Sequence, residues 1–214
     1  MGLENYIDHT LLKPTATDQD IVKLCAEAKK FNFFGVCVNG CHVPLVKKEL
    51  QGAQISIVAV IGFPLGAMST TAKICEAQAC ISNGANEIDM VLNIGWLKSK
   101  KYKLVLKEIA EIKEAIGSSI LKVIIETCYL TEEEKLKACE LIIKGKADYV
   151  KTSTGFGPDG ATYDDVALLK KNVGNRIKIK ASGGIKNTEM ALKYIDLGAS
   201  RIGTSSGINI SKGL

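Results

Sequence analysis

Proline is scarce in this sequence, with four residues in 214, and no stretch is of low complexity. That argues against disordered segments and flexible linkers. One uncharged run, residues 52–72, has the length to cross a bilayer. It holds Gly62, Pro64, Gly66 and a Ser69-Thr70-Thr71 cluster, so a strand, a turn and a helix start explain it better. The first turns carry Glu4, Asp8 and His9, which do not fit a secretory signal. No membrane association is expected.

A strong charge of one sign is also missing. The net charge is +5, and no aromatic-interleaved basic surface accompanies it. The densest basic cluster, residues 98–103, reads as a solvated helix start, so no nucleic-acid partner is expected. The mild positive balance suits a small anionic substrate. The seven cysteines form an odd set lying mostly in apolar periodic segments, and they read as reduced core thiols of a cytoplasmic protein. Cys37-x3-Cys41-His42 lacks the second half of a zinc site, so no metal is expected. His9 and His42 are isolated and less informative, and His42 reads as structural. No Gly-x-Gly-x-x-Gly follows an early strand, which lowers the case for a dinucleotide fold.

What is present is a regular alternation. Strands are predicted at 7–12, 35–39, 55–63, 87–93, 121–126, 149–154, 177–182 and 201–205. Helices are predicted between them at 18–31, 43–50, 69–83, 97–116, 131–144, 162–172 and 188–197, followed by a short tail. Capping residues support the starts: Asp18 or Thr17, Ser69 or Thr70, and Thr131 ahead of three glutamates. A joint recurs in which a glycine ends a helix and a small residue leads into the next strand: Gly84-Ala85, Gly145-Lys146-Ala147, Gly198-Ala199. About eight strands alternating with helices predict a parallel sheet closed as a single (β/α)8 TIM barrel over residues 1–214. An open doubly wound sheet is the alternative.

Two strands break their own pattern. Tyr149-Val150-Lys151-Thr152-Ser153-Thr154 runs into Gly155, and Ile177-Lys178-Ile179-Lys180-Ala181-Ser182 runs into Gly183-Gly184. Aromatic and β-branched residues fit a pleated strand and lysine does not. Alternate barrel residues point inward, and active sites form at the C-terminal strand ends. If Asp89, Lys151 and Lys180 are the inward set, two ammoniums and a carboxylate meet in one barrel mouth and must be partnered. A structural ion-pair network, or lysines reaching to water, is the bland alternative. The chemical reading is sharper. Desolvation and a neighbouring cation lower the pKa of a lysine, and a neutral amine attacks carbonyls to give a Schiff base. Gly183, Gly184, Gly203 and Ser205 follow strands seven and eight, where barrels commonly bind phosphate.

These residues also resemble a known family. Lys151-Thr152-Ser153-Thr154-Gly155-Phe156, Lys180-Ala181-Ser182-Gly183-Gly184-Ile185, Glu87-Ile88-Asp89-Met90-Val91 and Ile7-Asp8-His9-Thr10-Leu11-Leu12 are similar to the motifs of deoxyribose-phosphate aldolases, in order along the chain. The resemblance implies a class I aldolase with no metal and no cofactor. Such an enzyme interconverts 2-deoxy-D-ribose 5-phosphate with D-glyceraldehyde 3-phosphate and acetaldehyde. It implies Lys151 as the Schiff-base lysine, and Asp89 and Lys180 as the proton relay. Asp8 and Thr10 would order that relay, and Cys37 would lie near the aldehyde pocket. Gly155, Gly183, Gly184, Gly203 and Ser205 would line the phosphate site. A homodimer or higher homo-oligomer is implied as well. Phe156 stands where some relatives have lysine, and no tyrosine follows Leu214, where some relatives carry a C-terminal one. Another Schiff-base sugar-phosphate aldolase or transaldolase, or a barrel that only binds a sugar phosphate, stays open on the residues alone.

Overall fold

A computed structural model describes residues 2–214. Eight parallel strands pair in sequence order and close on themselves. They are β1 (Ile7–Leu11), β2 (Gly35–Asn39), β3 (Ser56–Ile61), β4 (Glu87–Val91), β5 (Ile120–Ile124), β6 (Tyr149–Lys151), β7 (Lys178–Ser182) and β8 (Arg201–Thr204). The pairing of β1 with β8, Asp8 opposite Gly203, is the closure that separates a barrel from an open doubly wound sheet.

The helices are α1 (Asp18–Phe31), α2 (Val43–Glu49), α3 (Thr70–Asn83), α4 (Ile94–Lys98), α5 (Tyr102–Ala115), α6 (Glu132–Lys144), α7 (Tyr163–Val173), α8 (Thr188–Asp196) and α9 (Gly207–Ser211). Capping boxes at Thr17 with Asp20 and at Thr131 with Glu134 fix the starts of α1 and α6. Gly84 closes α3 in the left-handed conformation. The longer helices lay apolar stripes on the outer face of the sheet. Ile109 and Ile112 of α5 and Leu169 of α7 are fully buried against outward-facing strand residues such as Ile88, Val123 and Val150. The main core is therefore the sleeve between sheet and helices. A smaller apolar cluster of Leu12, Cys37, Val58 and Val60 is separate from it.

Several expectations shift. The helix expected at 97–116 is two helices. Asn93 caps α4 through its side chain, and Lys100 turns left-handed with φ 57° before α5. The basic cluster at 98–103 lies at this joint. Strand β6 ends at Lys151 instead of residue 154, because the chain turns to build the rim of the cavity. The tail after β8 contains α9. The cysteines are not uniformly core residues: Cys25, Cys37, Cys80 and Cys139 are buried, Cys41 and Cys75 are exposed, and Cys128 is half-buried. The uncharged run 52–72 is strand, turn and helix start, and no helix among the described residues is long and apolar enough to cross a membrane.

Candidate active site

Strand register assembles the site. Lys151 on β6 stands opposite Lys180 on β7, and Lys180 stands opposite Arg201 on β8. Asp89 on β4 stands opposite Lys122 on β5. Because side chains alternate across a strand, one set of charges is directed into the barrel. Lys151 Nζ and Lys180 Nζ both donate to Asp89 Oδ2, at 2.8 and 2.7 Å, and Lys122 Nζ donates to Asp89 Oδ1 at 2.7 Å. Lys180 also pairs with Asp8 Oδ2. Arg201 donates to Asp8 Oδ1 at 2.8 Å and to Glu87 Oε2 at 3.2 Å, with its guanidinium carbon 3.4 Å from the centre of the Phe34 ring. Asp8, Asp89, Lys122 and Lys180 are fully buried, and Lys151 is only 2 % exposed.

Two glycines make room for these groups. A Cβ on Gly203 would meet Lys180 Cε at 3.0 Å, and one on Gly35 would meet Asp8 Oδ1 at 2.9 Å. Glycine at both positions lets long charged side chains pass close to the backbone.

The environment divides the lysines. Burial pushes the Lys151 amine down; Asp89 pulls it up, Lys180 pushes it down, and the net is a lowered pKa. Burial acts against Lys180 too, but Asp8 and Asp89 outweigh it and hold its proton firmly. Lys122 is raised likewise, chiefly by Asp89 against burial. Burial would raise both Asp8 and Asp89. Lys180 and then Arg201 bring Asp8 down to about 2, and Lys122, Lys151 and Lys180 hold Asp89 well below the usual carboxylate range.

Above the lysines opens a cavity of about 420 Å³ at the C-terminal strand ends. Of the three lysines on Asp89, Lys151 is the one that lines it. Gly155, Gly183, Gly184, Gly203, Ser205 and Thr10 line it as well. Gly155, Gly183 and Gly184 have φ of 85°, 88° and 79°, a conformation that suits glycine. Thr10 Oγ1 donates to the Asp8 carbonyl at 2.8 Å. Cys37 lies in the barrel interior with Leu12, Val58 and Val60, not on the cavity wall, and burial pushes its thiol pKa up. Phe156 is half exposed at the rim and meets Phe63 edge-to-face, with centroids 5.2 Å apart. His9 faces outward and pairs with Glu27 of α1 at 2.8 Å.

Sequence reasoning missed five groups. Lys122 and Arg201 carried a signal, a charge inside or at the start of an apolar strand, like the one that drew attention to Lys151. Lys186 and Lys13 line the cavity mouth as cations. Glu126 gave no signal. It turns left-handed just past β5, with φ 52°, and its carboxylate accepts from Thr154 N at 3.1 Å and from Thr154 Oγ1. That clamps the turn that carries Gly155.

Known proteins share this sequence and fold. A family model described as DeoC/LacD family aldolase matches residues 4–213. A deoxyribose-phosphate aldolase of Carboxydothermus hydrogenoformans is 55% identical over 212 residues, covering 97% of this chain and 93% of its own. Another, of Finegoldia magna, is 55% identical over 213 residues, covering all of both chains. Among solved structures, a deoxyribose phosphate aldolase from Aeropyrum pernix, described as tetrameric, superposes with a TM-score of 0.90 at 29% identity, covering 98% of this chain and 89% of its own. A closed eight-stranded barrel, a family-model match over residues 4–213 and full-length relatives at these identities make this chain an enzyme of the DeoC/LacD aldolase family.

Proposed function

We propose that the enzyme reversibly cleaves 2-deoxy-D-ribose 5-phosphate to D-glyceraldehyde 3-phosphate and acetaldehyde through a Schiff base on Lys151. The observation that carries this reading is the position of Lys151: it shares Asp89 with two other lysines, yet it is the one that opens to the cavity. Its lowered pKa supports a supply of neutral amine, which is the nucleophilic form.

In the cleavage direction the Lys151 amine attacks C1 of the open-chain sugar. The carbinolamine takes up a proton and loses water to leave an iminium. The iminium accepts the electron pair of the C2–C3 bond as the C3 hydroxyl gives up its proton. Glyceraldehyde 3-phosphate departs, and the remaining enamine is protonated and hydrolysed to acetaldehyde and free amine. Asp89 and Lys180 serve the proton relay, since Asp89 Oδ2 is hydrogen-bonded to both amines. Asp8 and Thr10 hold Lys180 in line: Asp8 takes its ammonium directly, and Thr10 is bonded to the Asp8 carbonyl.

Gly155, Gly183, Gly184, Gly203 and Ser205 receive the phosphate, through backbone N–H groups that glycine leaves accessible and through the serine hydroxyl. Lys186 and Lys13 at the mouth supply positive charge, which offsets the absence of a lysine at position 156. The reading includes a single-domain, cytoplasmic, homo-oligomeric enzyme of carbohydrate degradation. The tetramer of the Aeropyrum pernix relative supports the oligomer, and seven free cysteines support the compartment.

The test is a product assay. The enzyme should release glyceraldehyde 3-phosphate from 2-deoxyribose 5-phosphate, and should use acetaldehyde but not dihydroxyacetone as donor in the reverse direction. Preference for dihydroxyacetone would assign a different Schiff-base aldolase or a transaldolase. Binding of sugar phosphate with no turnover would leave only a binding barrel.

A further inference from the structure

The buried charges can be followed from one to the next. Asp89 contacts Lys122, Lys122 contacts Glu87, Glu87 contacts Arg201, Arg201 contacts Asp8, Asp8 contacts Lys180, and Lys180 returns to Asp89. This is a closed ring of six groups in which carboxylate and cation alternate. Its members come from β1, β4, β5, β7 and β8, and none is more than 3 % exposed. Lys151 is outside the ring and touches it at one point, Asp89 Oδ2. We propose that Lys122, Glu87 and Arg201 are positioning residues for Lys151: they complete a neutral ring, so that Lys151 is the one surplus cation and the amine that gives up its proton.

Three carboxylates and four basic side chains sit together in the barrel interior, none more than 3 % exposed. An uncompensated buried charge is very costly, so one of the four must be neutral or must carry an unbalanced charge. Lys122, Lys180 and Arg201 each have two carboxylates. Lys151 has one, at an oxygen that Lys180 already uses. Its proton is therefore the cheapest to lose. The groups facing Lys151 are Asp89 from β4, Lys180 from β7 and the Cys37 thiol from β2, with Lys122 on β5 behind Asp89. The directions agree: Lys122, Lys180 and Arg201 hold their protons more tightly than usual and Lys151 less tightly.

The ring has a second consequence, which rests on the Schiff-base reading. Iminium formation from a neutral amine takes up one proton and releases one water, so the interior gains one positive charge. Cleavage of the C–C bond sends an electron pair towards nitrogen and removes that charge. A neutral ring with no spare carboxylate offers the iminium little stabilisation, and so favours the bond-breaking step.

The experiment measures, against pH, reductive trapping of acetaldehyde on Lys151 by cyanoborohydride, read by peptide mass in the full-length enzyme. Lys122→Met removes a ring cation and should move the midpoint of trapping to higher pH by about one unit or more. Glu87→Gln removes a ring anion and should move it to lower pH, and the double variant should return towards wild type. Arg201→Gln, across the ring, should act in the same direction as Lys122→Met, which keeps the sign readable if one variant does not fold. Arg201→Lys keeps the charge and should keep the midpoint. Equal midpoints in all variants, both single charge removals shifting it the same way, or Arg201→Lys moving it as far as Arg201→Gln would overturn the proposal. Absence of any adduct on Lys151 in the wild type would overturn the Schiff-base reading itself.

Discussion

Lys151 and Lys180 donate to the same oxygen, Oδ2 of Asp89, at 2.8 and 2.7 Å. Two amines of equal intrinsic basicity thus compete for one acceptor, and their other neighbours decide between them. Lys180 has Asp8 in reserve and Lys151 has the cavity. One lysine becomes a held cation and the other a nucleophile, although both come from similar strands.

Removing the shared acceptor should separate structure from chemistry. In Asp89→Asn, three lysines lose their common carboxylate. Breaking a buried ion pair typically costs about 3–5 kcal/mol, and loss of a proton-relay group costs about 10²–10⁴ in rate. Denaturant unfolding together with kcat should show both losses. Near-normal kcat would remove Asp89 from the relay.

Acid should weaken the barrel in a defined window. The Asp8 carboxyl titrates at about 2 in the fold against 3.8 when unfolded. Between these values the unfolded chain binds the proton and the folded chain does not, so stability falls as pH drops from about 4 towards 2. The stabilisation is fully present above that window, and Asp8 contributes about 2 kcal/mol of it. Asp89, held well below its ordinary value, acts in the same direction. Denaturant midpoints measured from pH 5 down to pH 2.5 should decline, and an unchanged midpoint would contradict the ionised ring.

Glu126→Ala should damage the rim without touching the lysines. It leaves the buried Thr154 N–H and hydroxyl without their acceptor, at about 1–3 kcal/mol. It also frees the turn holding Gly155. KM for the phosphorylated substrate should rise several-fold with kcat changed less. Loss of kcat alone would place Glu126 nearer the chemistry.

Gly203→Ala tests the space through which Lys180 passes. The new methyl would meet Ser182 Cβ at 2.9 Å and Lys180 Cε at 3.0 Å. Overpacking of this kind costs about 1–3 kcal/mol, and displacing Lys180 from Asp89 should lower kcat at least about tenfold. A fully active variant would show that Lys180 needs no fixed position.

Much of this was legible in the sequence, and the reasons are specific. The barrel was visible because Thr17, Ser69 and Thr131 cap helix starts and the glycine joints at Gly84, Gly145 and Gly198 mark returns to a strand. Lys151 and Lys180 were visible because lysine is out of place in a strand. The partners were not. That Lys122 meets both Glu87 and Asp89, and that Arg201 bridges Asp8 and Glu87, depends on barrel closure and on pairings 33 and 193 residues apart for Lys122–Asp89 and Arg201–Asp8. Local pattern carries no record of such distances. The helix break at Lys100 was hidden because a lysine in left-handed conformation has no distinctive sequence mark. Glu126 was hidden for the same reason.

The most direct measurement of the central claim is to treat the enzyme with acetaldehyde and borohydride, digest it, and locate the reduced adduct by mass. An N-ethyl group is expected on Lys151 alone, absent in Lys151→Ala together with the activity. An adduct on Lys180 or Lys122 in its place, or an active Lys151→Ala enzyme, would contradict it.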